Sequence, residues 1–152
     1  MKRTVLTLLI CMITLLAIGQ RDKSSIKDLL LGTWSYKSGK YVYFDSNNNR
    51  LKEREMTELK DVDIDVKPES AKIIYPNKKV FTGNYTVNEE NGINQVVVDL
   101  GEETVEYQIS SISNSSLTLK ARHEIEFYVD GDQKKKAAYG LVIITLKKKK
   151  TR

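Results

Sequence analysis

Few side chains in this sequence are able to do chemistry. Beyond residue 19 the chain holds a single histidine, His123, and no cysteine. One imidazole excludes a two-histidine metal site, and a chain without thiols offers neither a cysteine nucleophile nor a thiolate zinc centre. Serines are plentiful, but none lies in a Gly-x-Ser-x-Gly elbow. A Ser-His-Asp set would have to recruit His123, which lies among apolar neighbours in a long alternating run. That position suits orienting a ligand better than proton transfer. Asp61, Asp63 and Asp65 alternate with Val62, Ile64 and Val66. Same-face strand residues are ~7 Å apart, whereas calcium gathers its oxygens at ~2.3–2.6 Å around one centre. The three aspartates therefore read as the wet face of a strand. Asp130-Gly131-Asp132 has too few ligands for a cation and reads as a turn. Tyr85, Tyr107 and Phe127 fall, with His123, on faces read as inward. Apolar bodies with a few polar tips are the usual lining of a small-molecule site, so these four are the candidate ligand-binding residues. No catalytic residue, metal ligand or cofactor is expected.

The elements that must position them are strands. From Asp61 onward the hydrophobic period is close to two. Val62, Ile64 and Val66 form one face, and Phe81, Gly83, Tyr85 and Val87 another. Val96, Val98 and Leu100 follow, then Val105, Tyr107 and Ile109. Leu117 to Val129 is the longest run, with Leu117, Leu119, Ala121, His123, Ile125, Phe127 and Val129 on one side. Ala138 to Leu146 is apolar on both faces. Turn signals separate these segments: Asp45 to Asn49, Pro68-Glu69-Ser70, Pro76-Asn77, Asn88 to Gly92, Gly101 to Glu103 and Ser113 to Ser116. Lys134-Lys135-Lys136 reads as part of a polar hairpin tip. Leu51 to Leu59 is charged and weakly patterned, a strand in which Glu53-Arg54-Glu55 equally suits an exposed helical turn. Eight to ten short, evenly spaced strands indicate a closed barrel or a β-sandwich. His123 is expected inside, because slipping the register by one residue would bury Lys120, Arg122, Glu124 and Glu126.

Ahead of the strands, Lys2 and Arg3 precede an apolar stretch from Val5 to Leu16, and Ala17-Ile18-Gly19 supplies the small residues of a cleavage site. Residues 1–19 read as a secretory signal peptide, with Cys11 inside it and placed wrongly for a lipobox. The apolar run is shorter than the ~20 residues of a membrane span, so no stable membrane anchor is expected and the product is periplasmic or secreted. Residues 20–152 suffice for one domain with a real core. The overall charge of +5 is unevenly spread. Residues 20–146 carry 18 basic against 20 acidic side chains, and the excess sits in a tail of lysines from residue 147. A near-neutral body argues against a nucleic-acid-binding face.

The stretch Leu29 to Tyr36 organises the rest. A short apolar helical turn, Ile26 to Leu31, runs into Gly32-Thr33-Trp34, and Trp34 is the sole tryptophan. Ser25 is placed to cap that turn. Gly32 lets the backbone turn sharply, and the Trp34 ring is large enough to plug one end of a closed sheet. Gly-x-Trp after a helical turn, a Gly83-Asn84-Tyr85 strand, the Ile109 to Leu119 strand–turn–strand and a lysine-ended final strand resemble the small lipocalin-like proteins exported by bacteria. The resemblance covers nearly all of residues 20–152. It implies an antiparallel up-and-down barrel of eight to ten strands with a short N-terminal helix, holding a small apolar ligand without chemistry. It departs from longer lipocalins in lacking a C-terminal helix and an arginine placed to pack over the tryptophan. A filled barrel serving as a cell-envelope interaction or inhibitor module is the alternative.

Overall fold

A computed structural model of the protein describes residues 25–101, 104–124 and 127–150. The expected signal peptide over residues 1–19 lies outside the described residues. A five-residue helix, α1 (Ile26–Leu30), is followed by β1 (Gly32–Phe44), β2 (Arg50–Glu55), β3 (Asp63–Val66), β4 (Ser70–Ile74), β5 (Val80–Glu90) and β6 (Ile93–Asp99). Then come β7 (Thr104–Ile112), β8 (Ser116–Glu124), β9 (Phe127–Asp130), β10 (Gln133–Lys136) and β11 (Tyr139–Lys148).

Neighbouring strands pair antiparallel in the order β11-β8-β7-β6-β5-β4-β3-β1, and β1 also pairs with β11. That last ladder closes the sheet into an eight-stranded barrel. A β-sandwich is thereby excluded, since it would leave β1 and β11 on separate edges. Closure hides the backbone groups that an open edge would expose. The first part of β1 pairs with β3 (Gly32↔Val66 to Ser35↔Asp63), and the last part pairs with β2 (Lys40↔Glu55 to Phe44↔Arg50). Strand β2 ends its sheet. Its sequence, Arg-Leu-Lys-Glu-Arg-Glu, covers that edge with charge. The segment that equally suited a helical turn, Glu53-Arg54-Glu55, is therefore extended.

The period-two reading fixes the core. In register around the barrel, Trp34 faces Ile64, Ile64 faces Ile73, Val66 faces Ala71, Tyr85 faces Val98, and Val96 faces Tyr107. Ile109 faces Leu119, and Leu119 faces Ile144. Asp63 and Asp65 stay on the outer face, where the Ser35 hydroxyl donates to Asp63 (2.7 Å) and that of Thr33 to Asp65 (3.2 Å).

Helix α1 closes one end of the barrel. Ser25 and Asp28 form a reciprocal capping box, and Leu30 is buried beneath the turn. Trp34 is fully buried, and its indole N–H donates to the Leu30 carbonyl at 2.7 Å. The ammonium of Lys148 lies 5.0 Å from the centre of the indole ring and donates to the Leu29 carbonyl at 3.0 Å. The lysine run that reads as a tail from residue 147 is therefore partly structural. Lys147 and Lys148 belong to β11, and Lys149 pairs with Asp63 at 2.5 Å. Lys148 holds the place over the tryptophan for which the sequence shows no arginine.

The opposite end is uneven. Strands β1, β8 and β11 run on together to Phe44, Glu124 and Tyr139, whereas the β1–β3 ladder stops at Ser35↔Asp63. The taller wall carries β2 and the separate β9–β10 hairpin. The hairpin is tied down by a Tyr43–Tyr128 ring stack at 5.0 Å and by an ion pair from Lys52 to Asp130. Lys135 also pairs with Asp130 at 2.6 Å, and the two ammonium groups hold its carboxyl down at about 2.

Candidate functional site

The inward faces of β1 and β3–β8, with β11, enclose a cavity of about 290 Å³. Each wall follows from alternation. Ile64 and Val66 come from β3, Ala71 and Ile73 from β4, and Val96 and Val98 from β6. The floor is Trp34 with Leu30. Toward the uneven end, Leu59 and Val62 from the β2–β3 connection lie against the opening, opposite Tyr75 and Leu100. That connection is strapped to β1. The Tyr36 hydroxyl donates to the Met56 carbonyl, the Met56 N–H donates to the Gly39 carbonyl at 2.8 Å, and the Tyr36 N–H donates to the Val62 carbonyl at 3.0 Å. The β1–β11 register shifts between Tyr36 and Ser38, so Lys37 is a β-bulge within one continuous strand, and Ser38 and Gly39 pair regularly beyond it. A Cβ on Gly39 would stand 3.0 Å from the Tyr36 hydroxyl, so glycine there leaves room for the strap.

Chemically the cavity is nearly silent. None of the described side chains that line it is a Lys, Arg, His, Asp or Glu. The polar side-chain groups its lining residues carry are the Trp34 indole N–H and the hydroxyls of Tyr36, Tyr75, Tyr85 and Tyr107. Among the described residues no cluster of three His, Cys, Asp or Glu side chains is placed to hold a metal ion. Two larger hollows, about 650 and 790 Å³, are open grooves on the outer surface bordered by lysines or carboxylates, and they form no enclosed site.

Two of the four candidate ligand-binding residues, Tyr85 and Tyr107, line the cavity. The other two do not. His123 is exposed. The β8–β11 register is unbroken from Leu117↔Leu146 through His123↔Gly140, so no bulge turns the imidazole outward. The strand has instead climbed past the packed interior onto the taller wall. Gly140 lies between His123 and Tyr43 across three strands. His123→Ala is expected to shift stability by less than about 0.5 kcal/mol. Thermal melting checks this, and a clearly lower melting temperature would place the imidazole in the packed interior.

Phe127 is 46 % exposed and Val129 is 69 % exposed, while Tyr128 between them is buried at 8 %. The single run expected from Leu117 to Val129 is two strands, and the inward parity changes between Glu124 and Phe127. Lys134, Lys135 and Lys136 pair with β9 as a strand rather than forming the hairpin tip.

The sequence reading missed an aromatic and cationic layer on the taller wall. The Arg54 guanidinium lies 4.6 Å from the centre of the Tyr41 ring and pairs with Glu58 at 2.9 Å, while Tyr43 stacks on Tyr128. Its signal was the density of Tyr41, Tyr43 and Phe44 opposite the charged stretch after Leu51.

No protein-family model matches the chain. No curated protein matches it either. Among solved structures it aligns with the crystal structure of a lipocalin-like protein from Bacteroides uniformis at 13 % identity and a TM-score of 0.43, covering 79 % of this chain and 98 % of that one. The architecture is described by its own geometry: eight antiparallel strands in a closed up-and-down order, a helix over one end and Gly-x-Trp on the first strand. It is a lipocalin-like barrel.

Proposed function

We propose that the protein is an exported, non-catalytic carrier that holds a small, mostly apolar molecule inside the barrel. The observation that carries this reading is the cavity of about 290 Å³, walled by aliphatic and aromatic side chains and free of charge among its described lining residues. Small-molecule sites run from about 300 to 1,000 Å³, so the ligand is at the small end. Burying its apolar surface supplies ~25 cal/mol per Å², while the short list of polar groups leaves little for acid–base or nucleophilic chemistry. The rival reading, an envelope interaction or inhibitor module, calls for a filled interior, and the cavity favours the carrier. Export rests on the sequence of residues 1–19.

Native mass spectrometry of the protein purified from its own host tests the reading. The expected result is a mass excess of one small uncharged molecule per chain that is lost on extraction into organic solvent. A bare mass under conditions that preserve the fold, with no binding when candidate ligands are added back, would contradict it.

A further inference from the structure

One group in the cavity wall is unsuited to a pure hydrocarbon. Tyr85 lies on the inward face of β5, between Gly83 and Val87 on that face, and its side chain packs into the core at 8 % exposure. Its hydroxyl oxygen is fully covered and has no hydrogen-bond partner, and no other buried side-chain polar atom among the described residues shares that condition. Buried polar groups in folded proteins are almost always paired, and an unpaired one lowers stability. Burial pushes the phenol above its ordinary value, with no charged neighbour contributing. Elsewhere in the lining, the Trp34 indole N–H donates to the Leu30 carbonyl and the Tyr36 hydroxyl to the Met56 carbonyl.

We propose that Tyr85 is the polar anchor of the cavity, donating its hydroxyl proton to an uncharged oxygen of the bound molecule. The inference rests on the carrier reading above and names the ligand's chemistry: a compact carbon body bearing one carbonyl, ester or ether oxygen. A carboxylate or phosphate head does not fit. It would be stripped of water where no described lining side chain carries a positive charge. The hydroxyl is covered in this structure, so the bound molecule has to displace that cover to complete the hydrogen bond.

Three probes of similar size separate the possibilities: acetophenone, ethylbenzene and benzoate, titrated calorimetrically into the wild-type protein and Tyr85→Phe. Acetophenone is expected to bind wild type about three- to tenfold more tightly than Tyr85→Phe, the range of one neutral hydrogen bond. Ethylbenzene should bind both proteins equally, and benzoate at least tenfold more weakly than acetophenone. Tyr85→Phe should melt no lower than wild type, because it removes a group without a partner. If acetophenone has no advantage that depends on the hydroxyl, or if benzoate binds as well, the anchor is overturned while the carrier reading stands. If none of the three binds wild type, both fall. The carbonyl stretch of bound acetophenone in wild type gives an answer that needs no variant: a shift to lower frequency supports the anchor, and an unshifted band overturns it.

Discussion

Trp34→Ala is expected to destabilise the protein by about 3–5 kcal/mol, the range for truncating a buried aromatic side chain. For a domain of this size that lowers the melting temperature by roughly 10–20 °C. Three contributions act together. The indole is fully buried at the closed end. Its N–H is the partner of the Leu30 carbonyl, which holds the last residue of α1 against the barrel. Its face carries the Lys148 ammonium, which in turn donates to the Leu29 carbonyl. Removing the ring opens a void beneath the helix and leaves a carbonyl and an ammonium without their shared support. Thermal melting followed by circular dichroism reads the loss. Because Trp34 is the sole tryptophan, the wild-type emission should be that of a buried indole, shifted to the blue. An unchanged melting temperature, or the emission of a solvated indole, would contradict the placement.

Gly83→Ala is the second large effect, and its cause is the opposite: too much matter rather than too little. A Cβ at residue 83 would stand 2.2 Å from the Asp99 carbonyl oxygen and 2.9 Å from a methyl of Leu100. The oxygen is backbone at the end of β6, and β5 and β6 are locked in register from Asn84↔Asp99 to Glu90↔Ile93. The strands have to part, or β5 has to bend away from Ala71 on β4, its other neighbour. Overpacking a well-packed site costs about 1–3 kcal/mol and sometimes more. A clash with main chain belongs at the upper end, so about 3 kcal/mol is expected. Urea denaturation should show a lower midpoint or an unfolded product. A midpoint equal to wild type would mean that β5 and β6 do not approach as closely as described. Glycine within a strand often marks such an approach.

Much of this barrel is legible in the chain because a half-buried strand writes its two faces into alternate residues. Val62, Ile64 and Val66, or Leu117, Leu119 and Ala121, show their inward side directly. The tight turns are legible for the same reason, since Asn48 and Asn91 take up positive φ where asparagine tolerates it. Alternation says which face a residue is on, but not how far along the barrel the packed interior extends. His123 keeps its inward parity and is exposed all the same, because β8 runs on beside β11 after its ladder with β7 has stopped at Gln108↔Lys120. Phe127 fails for a different reason. Phe127 lies beyond the junction between β8 and β9, and parity counted from Leu117 does not carry from one sheet to the other. The closing β1–β11 ladder follows from the lipocalin-like resemblance and not from the strands themselves, since alternation within one strand does not say which strand it pairs with. A run of lysines such as that from residue 147 has the pattern of a solvated tail, and only the fold brings Lys148 over Trp34. The candidate site divides along the same lines. Tyr85 and Tyr107 lie within the packed part of the barrel, where alternation is reliable, and His123 and Phe127 lie beyond it.

Uptake of a guest into the apolar cavity above Trp34 is read by titration with an uncharged apolar fluorophore such as N-phenyl-1-naphthylamine, followed by energy transfer from the single tryptophan. Trp34 forms the cavity floor, so a probe inside the barrel lies within a few side-chain lengths of the donor. Quenching of Trp34 emission, matching growth of probe emission, and saturation at one probe per chain are expected. Absence of saturable energy transfer from Trp34 in the folded protein would contradict uptake into the cavity.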